Sequence, residues 1–133
     1  MIKNKTFVEN FIEWAKLKIR IHDRDERLFF KEREIWWASI GMNIGYEQNG
    51  KNETFERPIL ILKKFNHDVC WVLPFTSKEK EGKYYYPIEY NNTISRLILS
   101  QLRLVSSKRL LRKVRTLDKK EFNLVRENIK KLI

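Results

Sequence analysis

The sequence predicts a mainly β domain, a small barrel or strongly bent sheet, with one helix before it and one after it. Short apolar segments rich in β-branched and aromatic residues recur about every ten to fifteen residues through the middle of the chain, divided by polar or glycine-marked stretches. Both ends instead carry apolar residues at helical spacing behind capping-box sequences. The length, 133 residues with 42% hydrophobic and 13% aromatic side chains, is that of one domain able to bury its own core.

The first helix is predicted from Thr6 to Ile21. Thr6 and Glu9 stand in capping-box spacing, and Val8, Phe11, Ile12, Ala15 and Ile19 form a stripe with Phe7 and Trp14 at its margins. The charged run from His22 to Arg27 ends it, so residues 1–30 read as a helical appendage packed on the main body or on a partner. From Glu34 the texture is β: Ile35, Trp36, Trp37 and Ile40, a polar stretch from Gly41 to Glu56, then the run Pro58-Ile59-Leu60-Ile61-Leu62. A second strand pair is expected from Val69 to Phe75 and from Tyr84 to Tyr90, with a further strand from Leu97 to Val105. Asp118 and Glu121 fit another capping box, and Phe122, Val125, Ile129 and Leu132 keep helical spacing after it, giving a C-terminal helix that packs on the sheet. Residues 31–133 form the main domain.

Charge narrows the partner. Lys and Arg number 28 against 17 Asp and Glu, a net +11. Residues 1–30 hold seven basic and five acidic side chains, residues 31–93 nine of each, and residues 94–133 twelve and three. A polyanionic partner is expected, with its phosphate contacts concentrated in the last third. One cysteine, Cys70 in an apolar run, and two histidines, His22 and His67 in polar contexts, leave no Cys/His zinc site within the chain. No apolar run reaches the ~18–20 residues of a membrane span, and the first residues lack a signal-peptide pattern. A cytoplasmic location without membrane contact is expected.

There is no Gly-rich phosphate loop, GxSxG elbow, HExxH or CxxC. What remains is a polar set at the ends of the β segments: Glu47 and Gln48 in the glycine-flanked loop, Arg57 before a strand, Thr76 and Ser77 after one, and Gln101 within another. Five blocks carry a resemblance. They are Arg33-Glu34-Ile35-Trp36-Trp37, Gly45-Tyr46-Glu47-Gln48-Asn49-Gly50, Arg57-Pro58-Ile59-Leu60-Ile61, Pro74-Phe75-Thr76-Ser77 and Gln101-Leu102-Arg103-Leu104-Val105. In order and spacing they resemble the RGEIWW, GxEQxG, RPVLV, PLTS and QIRTV blocks of the MazF/PemK (Kid) toxins of type II toxin–antitoxin pairs. The resemblance covers about residue 31 to the C-terminus, and residues 1–30 have no counterpart in short family members.

The resemblance implies an SH3-like barrel with a C-terminal helix, usually a homodimer, that cleaves single-stranded RNA without metal or other cofactor and is neutralised by a small acidic antitoxin. The ribose 2′-OH attacks the adjacent phosphorus, leaving 2′,3′-cyclic phosphate and 5′-OH ends. A chain poor in Cys and His suits that chemistry, because the RNA supplies its own nucleophile and the protein has to stabilise charge and move protons. By resemblance Arg57 is the catalytic arginine and Thr76 donates its hydroxyl to a phosphate oxygen. As a plain residue, Thr76 is equally a turn former whose hydroxyl serves the local backbone. Glu47, Gln48, Tyr46, Ser77, Gln101 and Arg103 are the expected RNA contacts, with Glu47 a candidate base and Tyr46 a candidate stacking surface.

One branch of the family places arginine and aspartate three and one residues before the glutamine, where this chain has Ile98 and Ser100. That branch's acid–base pair therefore does not transfer. Two rivals follow: a catalytically silent nucleic-acid-binding barrel, and a protein-directed toxin like the gyrase-poisoning CcdB group, which shares the fold.

Overall fold

The computed structural model describes residues 6–26 and 28–133, so residues 1–5 and Arg27 of the predicted appendage lie outside the described residues. Its elements are α1 (Phe7–His22), β1 (Glu34–Ser39), β2 (Glu56–Lys64), β3 (Val69–Thr76), β4 (Tyr85–Tyr90), β5 (Thr93–Ile98), β6 (Arg103–Ser106), β7 (Leu110–Thr116) and α2 (Lys119–Lys130). The described strands form one antiparallel, curled sheet in the order β4-β5-β3-β2-β1-β7. β3 causes the curl. One edge pairs with β2, and the other takes β6 along Val69–Val72 and then β5 at Phe75 and Thr76. Register shifts in β1–β7 and β2–β3 add bend, as bulges do.

Both faces of the sheet are covered, which explains the unbroken apolar run in β2. Ile59 and Ile61 face one core with Phe30, Trp36, Ala38, Ile40, Cys70, Val72, Val105 and Leu110. Leu60 faces the other with Ile35, Leu73, Phe75, Leu97 and the α2 residues Phe122 and Val125. Burial pushes the Cys70 thiol up to about 11, as suits an inert core residue.

The predicted mainly β fold with terminal helices is what the chain forms, and several details differ. The strand expected from Leu97 to Val105 is broken by a 3₁₀ turn at Leu99–Gln101, so Gln101 sits in a turn. The strand ending at Tyr90 pairs with β5 through the two-residue loop Asn91-Asn92, both at positive φ, instead of with β3. β7 was hidden in the basic tail because most of its residues are charged or exposed edge positions. Asp118 caps α2 by accepting from Lys120 N–H at 3.1 Å, one residue earlier than a box with Glu121 requires.

α1 has its predicted box: Thr6 Oγ1 accepts from Glu9 N–H, and Glu9 Oε1 from Thr6 N–H. Its orientation is the surprise. Trp14 is the buried residue, whereas Phe7, Val8, Phe11, Ile12 and Ile19 are exposed. Glycine at 41 makes the docking possible, since a Cβ there would lie 2.2 Å from the Trp14 ring.

Two carboxylates fasten β7. Glu56 takes a forked pair of bonds from Arg112, at 2.7 and 3.3 Å. Glu34 accepts from Trp36 Nε1 at 3.0 Å and Lys31 N–H at 2.8 Å, and pairs with Lys113 at 3.0 Å. The Arg112 bond lowers the Glu56 pKa against opposing desolvation. For Glu34, burial works to raise the pKa but the Trp36, Lys31 and Lys113 contacts outweigh it. A carboxyl held below its unfolded pKa stabilises the fold above that value, and the stability is lost as pH falls through the folded value. Urea midpoints are therefore expected to fall once the pH drops below the ordinary value of 4.5, and Glu56→Gln with Glu34→Gln should flatten that fall.

Candidate active site

The loop between β1 and β2 builds the site. Its base is closed by Ile40 and Gly41 N–H groups donating to Phe55 O, at 3.0 and 3.2 Å, and by Gly50 N–H donating to Gly41 O at 2.8 Å. Gly50 lies so close to the returning backbone that a Cβ would stand 1.7 Å from Phe55 O. Within the loop, Asn43 N–H donates to Asn49 Oδ1, and Asn43 Nδ2 donates to Gln48 O at 2.7 Å and Ile40 O at 3.2 Å. Gln101 fastens the loop to the 3₁₀ turn: its Oε1 accepts from Gln48 N–H at 2.6 Å, and its Nε2 donates to Tyr46 O at 3.2 Å.

Arg57 is buried beneath this loop at the start of β2. Its Nε donates to Asn49 O at 2.7 Å and its Nη1 to Phe75 O at 3.2 Å. The Gln48 amide lies against the same guanidinium, and the orientation that satisfies both puts its oxygen 2.7 Å from Nη2. All these partners are neutral, and burial lowers the Arg57 pKa. The β2–β3 register pairs Ile59 with Pro74, and the Arg57 bond to Phe75 O brings the guanidinium to the residue before Thr76. Thr76 is buried, and its Oγ1 accepts from Lys78 N–H at 3.2 Å, the turn contact its residue type suggests. The hydroxyl proton remains to donate. Ser77 follows as an exposed residue.

Beside Arg57 opens a cavity of about 600 Å³ lined by Tyr46, Glu47, Gln48, Gln101, Arg103 and Ser100, among others. Glu47 is the carboxylate on its lining; its Oε1 accepts from Ile44 N–H at 3.2 Å. Burial lowers the Arg103 pKa, and Glu47 opposes that shift. Tyr46 is fully exposed, and the isoleucine at 98 is buried in place of an acid or base. Thus the fold gathers Tyr46, Glu47, Gln48, Gln101 and Arg103 around one cavity, with Arg57 and Thr76 behind its loop wall. Sequence reasoning missed Asn43 and Asn49, which shape the loop, and Arg109, which donates to Ser39 O at 3.2 Å nearby. The Asn-rich, glycine-flanked composition was a signal for the first two; nothing set Arg109 apart from its basic neighbours.

Among the described residues, no three His, Cys, Asp or Glu side chains converge as metal ligands would, and no helix is long and apolar enough to cross a membrane.

No curated protein sequence matches the chain. Solved structures do. A MazF crystal structure from Deinococcus radiodurans superposes with a TM-score of 0.66 at 18% identity, covering 81% of this chain and 97% of that one. A second structure from that organism, described as MazE-MazF, gives 0.60 at 14% identity over 81% and 96%. The Mycobacterium tuberculosis toxin MazF-mt6 gives 0.58 at 18% identity over 74% and 94%. At such identities these matches establish the shared fold. The sequence profile described as PemK-like, MazF-like toxin of type II toxin–antitoxin system matches residues 31–133, most of the chain, and the protein therefore belongs to that toxin family.

Proposed function

We propose that this chain is an endoribonuclease that cuts single-stranded RNA, mRNA included, at preferred sequences, as the toxin of a type II toxin–antitoxin pair. One observation carries the reading: a buried guanidinium, Arg57, is held by neutral acceptors, among them the carbonyl of Phe75 next to Thr76, beside a cavity that contains a carboxylate. A buried cation that no carboxylate pairs with among the described residues suits a site whose anion arrives with the substrate.

The 2′-oxygen forms its bond to phosphorus as the bond to the 5′-oxygen breaks. Glu47, the carboxylate lining the cavity, takes the 2′-OH proton. Arg57 and the Thr76 hydroxyl donate to the non-bridging oxygens as charge builds there. The leaving 5′-oxygen is protonated from water. Gln48 has to release Arg57 for a phosphate to reach it, because its amide occupies part of the fork. The nucleophile belongs to the RNA, so the reaction requires neither metal nor other cofactor.

The net +11 charge also suits a small acidic antitoxin, in line with the MazE-MazF assembly of the Deinococcus relative. A homodimer in the cytoplasm completes the reading.

The test is end-mapping of RNA fragments after incubation in EDTA. Fragments with 2′,3′-cyclic phosphate and 5′-OH ends are expected. RNA that is bound but left intact would instead favour the silent binding module, and cleavage abolished by EDTA would remove the mechanism.

A further inference from the structure

We infer that Arg103 and Arg109 together form a second phosphate-binding position on the RNA path, and that α1 and the segment just after it hold it in place. The inference rests on the endoribonuclease reading and adds a subsite to it.

The two guanidiniums hang from consecutive carbonyls at the end of β1. Arg109 Nη1 donates to Ser39 O at 3.2 Å, and Arg103 Nη1 reaches Ile40 O at 3.5 Å. A guanidinium has five N–H donors, so most of the donors on each remain for another acceptor. Both side chains are half-buried, and among the described residues no arginine nitrogen is a buried atom left without a partner. Among the described residues, no carboxylate forms an ion pair with either side chain; Glu47 acts on Arg103 only through its field. Burial, and then the neighbouring Arg103, push Arg109 down to about 10, so it remains charged at neutral pH. Two adjacent half-buried cations repel, and an anion between them removes that cost.

Position identifies the anion. Arg103 lines the cavity that also holds Glu47, Gln48 and Gln101. Arg109 lines a separate groove of about 380 Å³ that sets Lys18 and Lys108 beside the apolar Trp14, Ile19 and Ile21. The neighbouring arginines thus link the candidate active-site cavity, through Arg103, to a second groove that carries Lys18 and Lys108, through Arg109, as a neighbouring phosphodiester of a bound strand requires. A single-stranded RNA continues along such a path; an isolated acidic side chain has no reason to lie in line with the reaction centre.

α1 sets this position. The Arg109 guanidinium carbon lies 5.7 Å from the Trp14 ring centroid. Arg24 Nη1 donates to Lys108 O at 2.6 Å and Leu110 O at 3.4 Å, gripping the backbone on both sides of Arg109. Lys108 Nζ donates to His22 O at 2.5 Å. Trp14 is accordingly a positioning residue, and α1 extends the substrate groove of the barrel.

The test uses the full chain carrying Arg57→Ala, whose cleavage is slowed enough for binding to be read before turnover, and a labelled single-stranded RNA titrated at several salt concentrations. Adding Arg109→Gln is expected to weaken binding about tenfold and to reduce the log–log salt slope by about 0.7, the loss of one phosphate contact to a single strand. Trp14→Ala should move both readings the same way and Trp14→Phe should restore them, with thermal melts showing that each variant folds. With Arg57 intact, Arg109→Gln should raise KM for cleavage. RNA binding that ignores Arg109 overturns the inference alone and leaves the endoribonuclease reading standing. No RNA binding by any form overturns both. Binding to poly-glutamate that depends on Arg109, with RNA binding unchanged, overturns it by assigning the pair to a protein partner.

Discussion

Replacing Arg57 by alanine is expected to slow RNA cleavage by roughly 10²–10³-fold, the usual loss when one preorganised donor to a developing charge is removed. The loss should fall on kcat, because the Arg57 fork is worth most when the phosphorus carries extra negative charge. Arg57→Ala also leaves Asn49 O, Phe75 O and the Gln48 amide without a donor, so a stability loss of about 1–3 kcal/mol accompanies it. Arg57→Lys separates the two effects. Lysine keeps the charge but presents a single point of donation where arginine offers a planar fork. It should restore much of the melting temperature and little of the rate. Single-turnover cleavage and thermal melting of both variants check this. Full activity in a folded Arg57→Ala chain would remove the central assignment.

The second large effect lies in the core. Phe30→Ala is expected to destabilise the fold by about 3–5 kcal/mol, the range for deleting a buried aromatic ring. Phe30 is 1% exposed and packs with Trp36, Ile59, Ile61 and Val72. Lys64 fixes it from outside, its Nζ donating to Phe30 O at 2.8 Å and lying 4.5 Å from the ring centroid. The family match begins one residue later, at 31. A fragment cut at the matched boundary would therefore lose a large core side chain, whereas one beginning at Leu28 would keep it. Urea unfolding of Phe30→Ala and Phe30→Leu gives the number directly, with the leucine expected to recover more than half. Since domains of this size are stable by about 5–15 kcal/mol in total, the alanine change alone threatens folding.

These two residues mark what the sequence made legible. Arg57 precedes an apolar run bounded by proline, so its place at a strand start was open to reading, and the run itself signalled a strand buried on both faces. Its relation to Thr76 emerged only with the β2–β3 register. The clamp of Gln101 on Gln48 and Tyr46 joins residues more than fifty apart through a turn that no glycine or proline announces, so local pattern carried no trace of it. Phe30 follows a charged run and was assigned to the appendage, since burial there depends on Lys64 and β2 arriving from elsewhere. The facing of α1 was not legible for a related reason. Its apolar residues nearly surround it, and the choice of Trp14 as the docking point depends on Gly41 leaving room for the indole. β7 escaped because an edge strand with solvent on one side keeps little apolar periodicity.

The Gln48 amide on Arg57 has a thermodynamic consequence. Any anion bound at Arg57 competes with a ligand the protein carries itself, present at the effective concentration of a tethered group. Its apparent affinity is the affinity of the vacant guanidinium multiplied by the fraction of molecules in which the loop has let go. The bonds that Gln101, Asn43 and Asn49 make to the loop set that fraction. On the endoribonuclease reading, sensitivity to substrate is thus encoded in an internal equilibrium, adjustable through the hydrogen bonds that hold the loop shut.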